Sequence, residues 1–172
     1  LQRTLKKTII FITHDLNEAL ILGNQIAIMR NGRFVQTGTA EEIVANPADD
    51  YVAAFTQDID RSRVFTAGSV AGPADAVQLS TDTAKSAIER MEAAGSDAIY
   101  VLDGERIAGA VTYRNLTALM RDNGGALASA LITDFPSARR STPLFELYPL
   151  AQFGLPIAVT NRKGRLDGVI AP

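Results

Sequence analysis

The pattern of hydrophobic and polar residues along the chain predicts short strands that alternate with short helices. Residues 8–13, TIIFIT, are β-branched or aromatic without alternation, which is typical of a strand buried on both faces of a parallel sheet. Asp15, with Glu18 three residues later, resembles a capping box, and Gly23 is a stop signal, so a helix is expected over residues 16–22. The beginning of the chain is therefore predicted to be α/β.

A hairpin and two short helices are expected next. Two strand-like segments flank Asn31-Gly32, a residue pair that accepts the positive φ values of a type I′ turn. Thr39 is expected to cap a helix that ends before Pro47, and residues 50–57 are expected to form a further helical turn or two. Residues 58–74 lose the periodicity and are predicted to be a linker between two domains.

The second domain is predicted to be an internal repeat, with copies at residues 75–133 and 134–172. A shift of 59 residues aligns the two copies without a gap. The aligned pairs are Ala84 with Pro143, Ile88 with Leu147, Met91 with Leu150, Gly95 with Gly154, Arg106 with Arg165, Ile107 with Leu166, Gly109 with Gly168 and Val111 with Ile170.

Each copy is predicted to contain an amphipathic helix, a buried strand, a turn and a second strand. In the first copy, apolar residues from Ala84 to Met91 recur at helical spacing, and another helix is expected over residues 114–121. Two such βαββα units, each with a half-exposed sheet face, are expected to pack these faces together and to leave clefts at a pseudo-twofold interface.

Composition excludes several kinds of site. The chain of 172 residues has no Cys and one His, which excludes a disulfide scaffold, a thiol nucleophile and a multi-histidine metal site within one chain, so no metal is expected. No apolar run is long enough to cross a bilayer. A net charge of −2 and the lack of interleaved basic and aromatic residues give no indication of nucleic-acid binding.

Both parts of the chain resemble known families. The segments IYVLDGERIAGAVTYRNLTALM and IAVTNRKGRLDGVIAP resemble the strand–turn–strand–helix run of tandem cystathionine-β-synthase (CBS) domains. THDLNEA, the hairpin IAIMRNGRFVQTGT and EEIVANPADDYV are similar to the end of an ABC-transporter ATPase core. Together they most closely resemble the ATP-binding subunit of glycine betaine/proline-type osmoprotectant importers. The resemblance implies an α/β chain in which residues 1–57 are the C-terminal part of an ATPase domain, followed by the CBS pair.

The resemblance also implies partners and a role for His14. In the resembled ATPases such a switch histidine contacts the γ-phosphate of ATP and the attacking water, so His14 would be catalytic only in an intact parent with ATP and Mg. The expected partners are a second copy, a transmembrane permease subunit and a substrate-binding protein, on the cytoplasmic face of the cell membrane. The chain has no G-x-x-x-x-G-K-[ST] loop, Walker B strand or signature loop, so on its own it is not expected to hydrolyse ATP.

Thr112 and Asn115 are the candidate ligand-binding residues of the CBS pair. They occupy positions where nucleotide-binding CBS repeats carry a Ser/Thr for phosphate and an Asp for the ribose hydroxyls. Asn115 replaces that Asp, and Ala171 stands opposite Thr112 in the second copy. An adenine nucleotide or a cyclic dinucleotide in the CBS cleft and a purely structural role are both left open.

Basic residues give the second copy a cationic character. In the resembled importers, a cationic surface near the bilayer responds to ionic strength by losing its attraction to anionic lipid, and the screening length falls from about 10 Å at 0.1 M salt to about 3 Å at 1 M. The alternatives are solvated turn residues, a stand-alone CBS sensor of nucleotides, and a structural dimerisation module. The candidate electrostatic residues are Arg139, Arg140, Arg162, Lys163 and Arg165.

Overall fold

The chain divides into two compact units, one ending at Phe65 and the other beginning at Thr66. The structure, a computed structural model, describes residues 8–121 and 125–171. In the first unit a hairpin is covered by short helices. Its elements are α1 (Leu16–Leu22), β1 (Ile26–Arg30), β2 (Arg33–Gly38), α2 (Ala40–Ala45), α3 (Asp50–Thr56) and α4 (Arg61–Val64).

Two local signals of the first unit, the Asn31-Gly32 turn and the Thr39 cap, are confirmed. Asn31 and Gly32 have φ values of 52° and 75°, as a type I′ turn between antiparallel β1 and β2 requires. The Thr39 hydroxyl accepts a hydrogen bond from the Glu42 amide, and the Glu42 carboxylate accepts one from the Thr39 amide, forming a capping box. The core of this unit is formed by apolar side chains from the hairpin and from α2 and α3, namely Ile26, Ile28, Ile43 and Val52.

Two expectations about the first unit need correction. Residues 8–13 form no strand, and the side chains of Ile10 and Ile12 are 87% and 92% exposed. A strand of that composition needs neighbours on both edges, and the described part of this unit offers only the antiparallel hairpin. Asp15 caps α1 as expected, but the Glu18 carboxylate accepts from the Thr13 hydroxyl rather than closing a capping box.

The second unit contains two three-stranded sheets of the same topology. In each sheet the first two strands are parallel and the last two are antiparallel, in the orders β3–β4–β5 and β6–β7–β8. Its helices and strands are α5 (Ala67–Val70), β3 (Ala76–Gln78), α6 (Ala84–Ala94), β4 (Ala98–Asp103), β5 (Arg106–Thr112), α7 (Tyr113–Arg121), β6 (Ser137–Arg139), α8 (Tyr148–Ala151), β7 (Ile157–Thr160) and β8 (Leu166–Ile170), with 3-10 turns at Leu127–Ala130 and Leu144–Leu147.

The repeat is visible in the structure, with two differences from the expected pattern. The amphipathic helix of the second copy is reduced to the 3-10 turn and the four-residue α8, because Pro149 lacks the amide that a longer helix needs. The segment predicted to be a linker contains α4 and α5. Ala67 in α5 is fully buried in the same core cluster as Ala138 and Val159 of the second copy.

One isolated bridge joins the segment before the first copy to the sheet of the second, and another lies within the bounds of the first copy. Gly72, just before the first copy, forms an antiparallel bridge with Val169 in β8, and Ile132, just before the second copy, forms one with Ala110 in β5. A third core cluster, which includes Tyr100, Ala110, Leu155 and Ala158, contains side chains from both copies. The pair therefore has a shared interior, as packing of two half-exposed sheets predicts.

Candidate functional site

His14 lies in an exposed bend between residues 8–13 and α1. Asp15, the next residue, accepts hydrogen bonds from the amides of Asn17 and Glu18, at oxygen–nitrogen distances of 2.8 and 3.4 Å. The carboxylate beside the histidine therefore caps a helix and is not hydrogen-bonded to the imidazole. The role of His14 at a γ-phosphate stays a prediction.

Thr112 and Asn115 lie where β5 passes into α7. The Thr112 hydroxyl accepts a hydrogen bond from the Asn115 amide at 3.2 Å, so it caps the first turn of α7. Both side chains are partly buried. The arrangement provides a helix cap and leaves a ligand role for these two residues as a prediction.

A shallow depression of about 390 Å³ lies close to this end of β5 and has an acidic character. The carboxylates of Glu92 and Asp97 contribute to its lining, together with Tyr113. The Tyr113 hydroxyl donates to Glu92 Oε1 at 3.2 Å, and this hydrogen bond raises the pKa of Tyr113. Two carboxylates make the depression unfavourable for a phosphate group.

The five basic residues singled out in the second copy separate into two groups. Arg140 forms an ion pair with Asp167, and Arg165 forms one with Glu105. Arg139, Arg162 and Lys163 instead line a cleft of about 520 Å³, and Arg106 at the start of β5 joins them there. We call this the cationic cleft; its remaining lining residues are Ile107, Phe135, Ser137, Thr160, Asn161 and Gly164.

The cationic cleft is built from both copies. Arg106 and Ile107 belong to the first copy, whereas the other lining residues precede β6, lie in it, or lie at the end of β7 and the turn after it. Ile107 and Phe135 are half-buried and give it an apolar wall. The Phe135 ring packs edge-on against the buried Tyr100 ring, with ring centroids 5.5 Å apart.

Local hydrogen bonds hold the turn that carries Arg162 and Lys163. The Asn161 side-chain oxygen accepts from the amides of Lys163 and Arg165, at 2.8 and 3.2 Å. Gly164 has a φ of 74°, in the left-handed region that favours glycine. The turn therefore has a defined backbone that presents two adjacent cations to the cleft.

The described residues that line the cleft carry positive charge only. Its lining includes four cationic side chains and no carboxylate. Within the described residues, none of these four cations forms an ion pair, in contrast to Arg140 and Arg165. An open cationic surface of this kind attracts anions.

The sequence indicated three of these four cations but missed Arg106. A signal for Arg106 was present, because the 59-residue shift aligns it with Arg165. The two arginines differ in their partners: Arg165 pairs with Glu105, next to Arg106 in sequence, whereas Arg106 lines the cleft. Sequence alone does not show which of two aligned arginines forms an ion pair with a carboxylate.

None of the helices in residues 8–121 and 125–171 combines the length and the apolar character needed to span a bilayer.

The chain is similar in sequence to known transport proteins. No protein-family model matches it. The glycine betaine/carnitine transport ATP-binding protein GbuA of Listeria monocytogenes is 43% identical over 172 residues, which cover 99% of this chain and 43% of that protein. The chain thus spans less than half the length of this relative.

Solved structures resemble the chain in fold. Staphylococcus aureus OpuCA matches 60% of this chain and 89% of its own, with 16% identity and a TM-score of 0.53. The CBS-pair protein CBSX2 from Arabidopsis thaliana matches 62% of this chain and 88% of its own, with 18% identity and a TM-score of 0.55. The tandem CBS fold is confirmed, and nearly the whole chain is homologous to ATP-binding proteins of glycine betaine ABC transporters.

Proposed function

We propose that this chain is the regulatory portion of the ATP-hydrolysing subunit of an ABC importer for glycine betaine/proline-type osmoprotectants. The observation that carries the proposal is the 43% identity to GbuA along 99% of the chain, through both compact units. The intact subunit would bind ATP and Mg, with His14 at the γ-phosphate. It would work as a homodimer with a membrane permease and a substrate-binding protein, on the cytoplasmic face of the membrane.

The CBS pair is proposed to modulate transport in response to ionic strength or a ligand. Support comes from the four cations of the cationic cleft, which lack ion pairs within the described residues and are therefore available to mobile or membrane-bound anions. Raising salt from 0.1 to 1 M shortens the screening length from about 10 to about 3 Å and weakens such attractions. Salt changes transport only if these contacts differ between the inward- and outward-facing states.

Transport by the reconstituted importer tests this proposal. Betaine uptake into vesicles containing phosphatidylglycerol is measured against KCl concentration for the unmodified importer and for a triple variant, Arg139→Gln, Arg162→Gln and Lys163→Gln. The salt concentration at half-maximal uptake is expected to fall at least twofold in the variant, because fewer charges need screening.

The control is the pair Arg140→Gln and Arg165→Gln. It also removes positive charge from the second copy, but from residues already paired with Asp167 and Glu105. Its salt dependence is expected to stay close to that of the unmodified importer. An identical salt dependence in all three proteins, or in an importer lacking residues 66–172, would contradict the regulatory role.

A further inference from the structure

We propose that residues 66–72, here called the strap, are the element through which the second copy of the repeat acts on the first unit. The strap is docked on the sheet of the second copy in the arrangement described above, and it is released when the two copies move apart. Docking restrains the first unit, and release lengthens its tether. The proposal deepens the proposed function and rests on it for one point, that the CBS pair modulates transport.

Backbone hydrogen bonds attach the strap to the second copy, although the strap directly precedes the first. The Ala67 and Gly68 amides donate to carbonyl oxygens in the turn after β6, at 2.7 and 2.8 Å. At the other end of the strap, Gly72 exchanges two backbone hydrogen bonds with Val169 of β8, at 2.9 and 3.1 Å. Because β6 and β8 are the outer strands of this sheet, the strap is attached at both of its sides.

Ala67 packs the strap against the core of the second copy. Its side chain is fully buried, in a cluster with Ala138 of β6 and with Ile157 and Val159 of β7. Ala71 packs against the same cluster. These apolar contacts exist only while the strap and the sheet are together, so the docked state has a defined geometry.

The small side chains of the strap make its docking reversible. Five of its seven residues are Ala, Gly or Ser. Such residues bury little apolar area, and segments with few apolar contacts open at a lower free energy than core strands do. The strap is therefore suited to change between two states while the sheet stays folded.

The lengths of chain on either side of the strap make its docking decisive. The first unit ends at Phe65, directly before the strap, and residues 73–75 alone separate the strap from β3 of the first copy. Arg90 in α6 forms an ion pair with Asp75, at the end of this link, at 3.2 Å. Three residues span at most about 11 Å, so a larger separation of the copies would pull the strap from the second copy. The seven released residues would then add up to about 25 Å of tether to the first unit.

Two substitutions in the strap are expected to release it. Ala67→Leu adds volume at a fully buried position, and a Cβ at Gly68 would lie 3.0 Å from both the Cβ and the carbonyl oxygen of Arg140, so Gly68→Val adds atoms where there is no space. Amide hydrogen exchange of residues 66–72, measured by mass spectrometry, is expected to become at least about tenfold faster in both variants, and that of β7 to stay unchanged. Exchange that remains slow in both variants would overturn the proposal.

Val70→Leu is the matched control. Val70 lies in the same short helix as Ala67 but is 44% exposed, so the added methylene has space. Exchange of the strap and the salt dependence of uptake are expected to stay within about twofold of the unmodified protein. Loss of the salt response in this variant, with the strap still protected, would overturn the proposal.

Betaine uptake by the reconstituted importer measures the effect on transport. The unmodified importer is expected to respond to KCl between about 0.1 and 1 M. With Ala67→Leu or Gly68→Val, uptake is expected to change by less than about twofold over this range, because a released strap no longer transmits the state of the second copy.

A longer tether separates transmission from folding. An insertion of about six Gly and Ser residues between Phe65 and Thr66 adds flexible chain outside the docked segment. Exchange of residues 66–72 is expected to stay slow, whereas the salt response is expected to be lost, because the added slack removes the restraint. A purely structural role of the strap predicts the opposite result, an unchanged salt response.

The failure of this proposal differs from the failure of the proposed function. If the unmodified importer shows no response to salt, the regulatory function is contradicted and the role of the strap falls with it. If the unmodified importer responds and the importers with a released strap or a longer tether respond equally, the strap proposal alone is overturned. Should Ala67→Leu unfold the second copy, seen as fast exchange in β7, Gly68→Val and the insertion decide.

Discussion

The hydroxyl oxygen of Tyr100 lies 2.5 Å from the carbonyl oxygen of Pro156, so the central strand of the first copy is hydrogen-bonded to the segment that begins β7 in the second. The Pro136 carbonyl oxygen is also near, at 3.3 Å. Tyr100 is 2% exposed, and its ring packs against Phe135. One side chain thus connects the two copies through polar and apolar contacts together.

Replacing Tyr100 by Phe is expected to lower the free energy of unfolding by about 1 kcal/mol, because a hydrogen bond is lost and a partly buried carbonyl loses its partner. Urea denaturation followed by circular dichroism measures the change. Tyr148→Phe is the matched control, since Tyr148 is 67% exposed, and it is expected to change stability by less than about 0.5 kcal/mol. Equal effects of the two substitutions would contradict the role given to Tyr100.

Alkaline pH is expected to destabilise the chain partly through Tyr100. Burial raises the pKa of Tyr100 from 10.0 to about 12. The folded state therefore keeps the phenol proton at pH values where the unfolded state releases it, so this contribution to stability is intact below pH 10 and lost as the pH rises towards 12. Unfolding free energies measured from pH 9 to 12 are expected to fall less steeply in Tyr100→Phe than in the unmodified chain.

Met91 is fully buried in the core of the first copy, among Val77, Val101 and Leu116. Met91→Ala is expected to cost about 2–5 kcal/mol, through lost apolar burial and the cavity that remains. Met120→Ala on the following helix removes the same atoms from a side chain that is 47% exposed, and a cost below about 1 kcal/mol is expected. Thermal denaturation of both variants provides the comparison, and similar melting temperatures would contradict the core assignment.

The aligned glycines Gly109 and Gly168 each lie in close contact with the backbone of a bridging segment, at Ile132 and Gly72 respectively. A Cβ at Gly109 would lie 2.7 Å from the Ile132 carbonyl oxygen, and one at Gly168 would lie 2.8 Å from the Gly72 carbonyl oxygen. Gly109→Ala and Gly168→Ala are each expected to destabilise the chain by about 1–3 kcal/mol.

Gly72→Ala is the control for these substitutions, because its Cβ would meet the Val169 carbonyl oxygen at an ordinary 3.8 Å. Chemical denaturation is expected to show a change of less than about 0.5 kcal/mol for this variant. If Gly72→Ala is as destabilising as Gly109→Ala, close backbone approach does not explain why both copies have glycine at the aligned positions 109 and 168.

Local signals in the sequence were sufficient to predict elements whose stabilising interactions are between residues close in sequence. The Asn31-Gly32 turn and the Thr39 cap depend on residues close in sequence, and both were predicted correctly. Residues 8–13 were predicted wrongly, because a buried strand depends on neighbours that its own composition cannot specify.

The cationic cleft was only partly predictable for a related reason. The basic residues of the second copy were visible in the sequence, but their division into paired and unpaired cations depends on which carboxylates folding brings near them. Arg106 of the first copy and Arg139 of the second line the same cleft. Their spacing in the sequence does not predict that the fold brings them together.

The bridge between Gly72 and Val169 has a consequence for gene fusion. A polypeptide cut between residues 133 and 134 would separate the segment before the first copy from the β8 edge with which it pairs. Gene fusion can therefore transfer the two copies together as one folded unit, whereas the second copy alone would have an unpaired strand edge. Recombination among such proteins should consequently move the two copies together.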